Sequence, residues 1–226
     1  MRGFYTAYIH IGGMVYMAFM TNLLLAVANL PLLFLFTATD LRTTWLPVLL
    51  LTPFLAISLA AAFSVFERFT VDGSVSVVRG FVRAWATHAR SAGAVGAVVA
   101  VGMFVLTVDV NVVWGTSIGA AAIPLFVTLM ALLVSTALHV LVGIPLGVEA
   151  RSALGLWKAC LYFSVRRWYL TVMSMVVLSL LVSFIYSMPA WGVGLGASPI
   201  LYVAWANSRQ ALLPIAATAD PTTVNA

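Results

Sequence analysis

The stretch that decides the fold is residues 45–113, WLPVLLLTPFLAISLAAAFSVFERFTVDGSVSVVRGFVRAWATHARSAGAVGAVVAVGMFVLTVDVNVV. It reads in three parts. Residues 45–66 carry no charge, and residues 91–113 carry only Asp109. Each part is long enough to cross a hydrocarbon layer of about 30 Å as a helix. Backbone N–H and C=O groups find no water there, so each crossing must pair them internally. Between the two lies an amphipathic segment, residues 71–90. At about 100° per residue, Asp72, Ser76, Arg79, Arg83 and Arg90 fall in one narrow sector. Val77, Val78, Phe81, Val82 and Trp85 occupy the opposite arc. That pattern predicts a helix lying flat at a leaflet, its arginines toward lipid phosphates or a partner.

The same grammar extends in both directions. It predicts a polytopic, all-α bundle in one transmembrane domain, residues 1–212. The six expected spans are 9–36, 45–66, 91–113, 117–147, 168–188 and 192–206. A second amphipathic helix is expected at 149–167. Arg151, Lys158, Tyr162 and Arg166 share one of its sides, and Leu154, Trp157 and Leu161 share the other. Residues 213–226 have no apolar period and are expected to form a disordered tail. The run from residue 9 continues too long for a signal-peptide core of about 7–15 residues and has no small-residue cleavage pattern, so it reads as a retained span.

Composition supports this reading and excludes others. The chain has 226 residues, of which 63% are hydrophobic and 8% charged, and its mean hydropathy is +1.11. A soluble domain is about 45–50% apolar and about 25% charged, so water-soluble and disordered chains are excluded. Cys160 is the only cysteine, which rules out an intrachain disulfide framework. The net charge is +5, but the cations sit between apolar runs and point to a membrane surface rather than nucleic acid.

Sidedness follows from the connections. Ten of the eleven cations fall on one side: Arg2, Arg68, Arg79, Arg83, Arg90, Arg151, Lys158, Arg166, Arg167 and Arg209. Only Arg42 falls on the other. Positive charge collects in cytoplasmic loops, so both termini are expected inside a bacterial plasma membrane, against its anionic inner leaflet.

Polar side chains within spans are functional candidates by default. Asn22 and Asn29 share a face of the first span, and His139 lies late in the fourth. Interhelical hydrogen bonding is the simplest role for the asparagines, and a backbone-bonded packing role the simplest for His139. Glu67 with Arg68, and Glu149 with Arg151, read as local ion pairs at inner helix ends. Arg79, Arg83, Arg90, Arg151, Lys158, Arg166 and Arg167 are the candidate contacts for lipid or a partner. Ala92, Gly96 and Ala100 form a small-xxx-small face, and Gly192, Gly194 and Gly196 crowd the last span.

No phosphate-binding loop, H-E-x-x-H or G-x-S-x-G motif occurs. One cysteine cannot form a thiolate metal site. His10, His88 and His139 lie on separate segments. No cofactor, metal or catalytic residue is expected, and the chain does not read as an enzyme.

Several segments together carry a resemblance. An asparagine-bearing first span, MTNLLLAVANLPLLF, precedes a proline-led second, TPFLAISLAAAFSVFERF. The basic helices VVRGFVRAWATHAR and LGLWKACLYFSVRRWYLTV follow. Over residues 16–209 this resembles the YesL-like family of small bacterial integral membrane proteins, a domain of unknown function. Thr87 and His88 stand where the family often has an asparagine. The resemblance implies a place beside carbohydrate-uptake ABC transporters, with permease or ATPase subunits as partners, and supplies no catalytic residues. The expected function is therefore an accessory membrane protein, itself open to homo-oligomerisation. The alternative is a stand-alone permease or sugar transporter. EARSALG at 149–155 and ERFTVDG at 67–73 are similar to an ABC-permease loop pattern, E-A-A-x-x-x-G, but its downstream I-x-L-P is missing.

Overall fold

The computed structural model describes residues 2–38, 41–73, 76–147 and 153–219, and among these the chain is helical with no strand. In chain order the helices are α1 (Arg2–Ala28), α2 (Leu30–Ala38), α3 (Leu41–Asp72), α4 (Val77–Val113) and α5 (Gly119–Gly143). Then come α6 (Ala153–Arg166), α7 (Trp168–Ser187) and a single turn, α8 (Pro189–Trp191). A π-helical segment, Gly192–Gly196, leads into α9 (Ala197–Ala219). Among the described residues four helices are long and apolar enough to cross a membrane: Trp45–Asp72, Val77–Val113, Gly119–Gly143 and Trp168–Ser187.

α3 and α5 are central. From Ala60 to Phe66 every side chain of α3 is buried, as is every residue of α5 from Ser135 to Gly143. Half of the most apolar window of α3 is buried, against 17% for α4 and for α7, so the latter two present most of their surface outward. Trp205 and Tyr202 of α9 close on Phe66 of α3, with ring centroids 6.0 and 5.4 Å away.

The α3–α4 hairpin is drawn tight by small residues. A Cβ on Gly96 would lie 2.5 Å from Pro53 Cα and 2.9 Å from Thr52 O. Only glycine permits that approach of two backbones. Ala92 on the same face is fully buried. The hairpin turns at Gly73, whose φ of +69° lies in the left-handed region. At the opposite end Thr116 joins α4 to α5. Its hydroxyl donates to Val113 O (2.8 Å) and accepts from the Gly119 N–H (3.1 Å).

Several expected boundaries shift. Residues 71–90 are not a separate helix: α3 runs on to Asp72, and Val77–Val113 is one helix of 37 residues. Ser91, the expected start of a new span, turns its hydroxyl back to His88 O (3.2 Å) instead of capping forward. No proline interrupts α4, so it continues. At 1.5 Å per residue it is about 55 Å long, well beyond a hydrocarbon layer of ~30 Å.

The first expected span is also divided. A turn at Asn29 separates α1 from α2, next to Pro31, which has no N–H to give the helix. The last expected span opens as the π segment and extends through α9 to Ala219. Leu213–Ala219, expected in the tail, are therefore helical. Residues 149–152 of the second amphipathic stretch lie outside the described residues, and its helix is α6.

A polar seam and a cationic end

The two asparagines of the first expected span have different partners. Asn22 is buried on α1, and its Nδ2 donates to Gly194 O at 2.9 Å. The backbone N–H of Ser198 donates to Asn22 Oδ1 at 2.5 Å. Gly194 O and Ser198 N are the two groups that an α-helix would join to each other, being four residues apart. The carboxamide has entered that bond and completed both halves. Insertion of a side chain into the helical ladder is a recognised cause of helix distortion, and here it sits on the π segment.

Asn29, at the turn, instead bonds back to α1, Nδ2 to Leu25 O at 2.9 Å. It is the polar member of an apolar cavity of about 220 Å³ bounded by Leu32, Leu55, Leu178 and Val193 among others. Both asparagines are buried, but each engages a different acceptor.

His139 is buried on α5 with Nδ1 2.7 Å from Ser135 O. At that distance Nδ1–H donates to the carbonyl, leaving Nε2 as the acceptor in the neutral ring. Ser164 Oγ of α6 lies 3.4 Å from the same nitrogen. Thr171 Oγ1 of α7 donates to Ser164 O at 2.8 Å. Ser135 Oγ donates to Thr171 Oγ1 at 3.4 Å. One imidazole and three hydroxyl side chains thus stitch α5, α6 and α7 together. Asn207 of α9 adds a similar clasp to α7, donating to Leu170 O (2.9 Å) and Ser174 Oγ (2.6 Å).

Glu67 does not pair with its neighbour Arg68. Its carboxylate takes two hydrogen bonds from Arg209, at 2.8 and 3.0 Å. Arg68 is exposed. The cause is helical direction: residues one apart on a helix point about 100° from each other, whereas α9 lies opposite the Glu67 face of α3. Arg209 also sits over the Trp205 ring, 5.7 Å from its centroid, which shields the pair on one side. Glu149 and Arg151, the second expected pair, lie outside the described residues.

No protein-family model, no curated protein and no solved structure matches this chain.

Of the expected cationic contacts, Arg151 lies outside the described residues, and the others sit on α4, on α6 or at the α6–α7 junction. Arg79, Arg83 and Arg90 of α4 and Lys158 and Arg166 of α6 are exposed. Arg166 donates to Tyr162 Oη at 3.0 Å on its own helix and lies over that ring. Arg167 is half-buried between α6 and α7 and reaches Gln210 O of α9 at 3.4 Å. The apolar arc of the basic segment divides in two. Val77, Phe81 and Ala84 are buried, whereas Val78 and Val82 face outward. On α6, Trp157 packs against the core, but Leu161 is exposed.

Among the described residues no three His, Cys, Asp or Glu side chains group in a way that could hold a metal ion. Cys160 is buried, and burial pushes its thiol up to about 12. Sequence reasoning missed Asn207 and the joint role of Tyr202, Trp205 and Arg209. Their spacing of three and four residues places them on one helical face, and that was the available signal.

Proposed function

We propose that this chain is a membrane-embedded accessory subunit, partnered through its spans or its basic helical surfaces with a carbohydrate-uptake ABC transporter. The observation that carries the accessory half of this reading is the use of the polar groups inside the bundle. Asn22 and Asn207 bond across to other helices, and His139 bonds to Ser135 O of its own helix with Ser164 of α6 3.4 Å from the same nitrogen. A transport pathway needs polar groups left available to a solute. The carbohydrate-transporter half rests on the resemblance to the YesL-like family. The exposed cations Arg90 and Lys158 supply a surface on which acidic segments of permease or ATPase subunits can dock. In this reading both termini face the cytoplasm of a bacterial plasma membrane.

The test is tagged purification from native membranes after mild crosslinking. Transporter permease and ATPase subunits are expected in the eluate. Recovery of nothing but the chain, or of the chain as a homo-oligomer, overturns the reading. Purified protein in liposomes is expected not to move sugar, and uptake above protein-free liposomes would establish the permease alternative.

A further inference from the structure

α4 starts at Val77 behind Ser76, whose hydroxyl makes no capping bond. Arg79 and Arg83 project from the first two turns, and Tyr16 of α1 stands across from them. With Ser76, Val78 and Val82 they line one open recess of about 680 Å³. Neither guanidinium has an ion-pair partner among the described residues. Like charges four apart on a helix repel, so this pair stands to gain from an anion between the two side chains.

The surroundings of the recess are apolar. Val78 and Val82 are 47% and 57% exposed. Below Tyr16 the outer face of α1 and α2 continues as Phe19, Leu23, Leu30 and Phe34, all exposed. A cationic, hydroxyl-bearing recess therefore opens at the head of an apolar stripe. A free anion would use the first feature and leave the second uncovered. A phospholipid uses both.

We propose that this recess binds the phosphate headgroup of an anionic phospholipid. Arg79 and Arg83 pair with the phosphate, the Tyr16 hydroxyl donates to it, and the acyl chains lie along the α1 stripe. Arginine forks suit phosphate oxygens because several N–H groups meet them at once. The inference is independent of any transporter partner, since the site is complete in the isolated chain.

The experiment uses the purified full chain in zwitterionic bilayer nanodiscs doped with a photoreactive phosphatidylglycerol, with labelled peptides mapped by mass spectrometry. Labels are expected on the α1 segment around Tyr16 and the α4 segment around Val78 and Val82, and excess unlabelled phosphatidylglycerol should compete them away. Arg79→Gln combined with Arg83→Gln should lower labelling roughly thirtyfold, taking about 1 kcal/mol per cation near a membrane surface. Tyr16→Phe, which leaves both charges in place, should give a smaller drop of the same kind. A matched photoreactive phosphatidylcholine should label weakly. Equal labelling of wild type and double variant overturns the site, as does equal labelling by the two lipids. Displacement of the lipid by inorganic phosphate assigns the recess to free phosphate and overturns the lipid assignment. Monodisperse elution of each variant verifies that it has folded.

Discussion

Asn22 places its carboxamide between Gly194 O and the Ser198 N–H, and a side chain of similar size that cannot both donate and accept would leave those buried groups unpaired. Each unmet group costs about 1–3 kcal/mol. Asn22→Leu is therefore expected to lower stability by about 2–6 kcal/mol, read from thermal or SDS unfolding in detergent. A change under half a kcal/mol would mean that the π segment closes its own ladder without help. Asn22→Asp offers a sharper version. Ionised, it still accepts from Ser198 but faces Gly194 O with an anion; protonated, it can donate there. At neutral pH the variant should be less stable than wild type, because an ionised carboxylate cannot donate to Gly194 O. Equal stability of the two in the same assay would contradict this geometry. Cys160 makes an independent point about burial in α6. With its thiol at about 12, the native chain should resist maleimide between pH 7 and 9 and react once unfolded. Rapid labelling of the native protein would show that α6 is not docked as described.

At the scale of elements, the α3–α4 contact depends on a missing side chain. Gly96→Ala puts a methyl group against Pro53 Cα and Thr52 O, which are backbone atoms and cannot swing aside. The expected loss is about 1–3 kcal/mol from overpacking. Gly93→Ala is the control: its new Cβ would meet only the flexible end of Ile57 at 3.5 Å, and the helix interior gains from losing a glycine. Gly93→Ala should be neutral or stabilising in the same unfolding assay, and equal losses at both positions would remove the case for a close backbone crossing. The small-xxx-small spacing around Gly96 was legible in the sequence because helical periodicity states which residues share a face. The central spans were legible because long uncharged runs have few alternatives. The boundary at residues 90 and 91 was not, since a change from amphipathic to wholly apolar composition does not stop a helix unless the backbone is interrupted. The π segment was hidden for another reason. The amide bonded to it belongs to Asn22, far away in sequence, and nothing local to Gly192–Gly196 states which amide meets the ladder. The Glu67 pairing failed similarly: proximity in sequence favoured Arg68, while the fold brought Arg209.

For the whole molecule, burial and charge share an axis. The wholly buried runs of α3 and α5 lie in their second halves, and the buried face of α4 lies in its first half. These segments meet at the end where α1 brings Gly13 beside Phe69 and where Glu67 holds Arg209. In the later half of α4 and the earlier half of α5 only Gly96 and Gly119 are buried. Trp45 of α3 still stacks on Phe104 of α4 there, 5.9 Å between ring centroids, so the helices stay in contact while their outward surfaces are free to meet lipid or another helix. That polarity predicts one labelling pattern. In a Cys160→Ala background, single cysteines at Arg83 and Lys158 should react with an impermeant maleimide only from the same side of sealed vesicles. A cysteine at Thr116, in the α4–α5 turn, should react only from the other. By the positive-inside rule the first two should be cytoplasmic. If Arg83→Cys and Lys158→Cys react from opposite sides, the arrangement of α4 against α6 is wrong. If they agree with each other but face outward, the packing stands and the assignment of the cationic end to the cytoplasm fails.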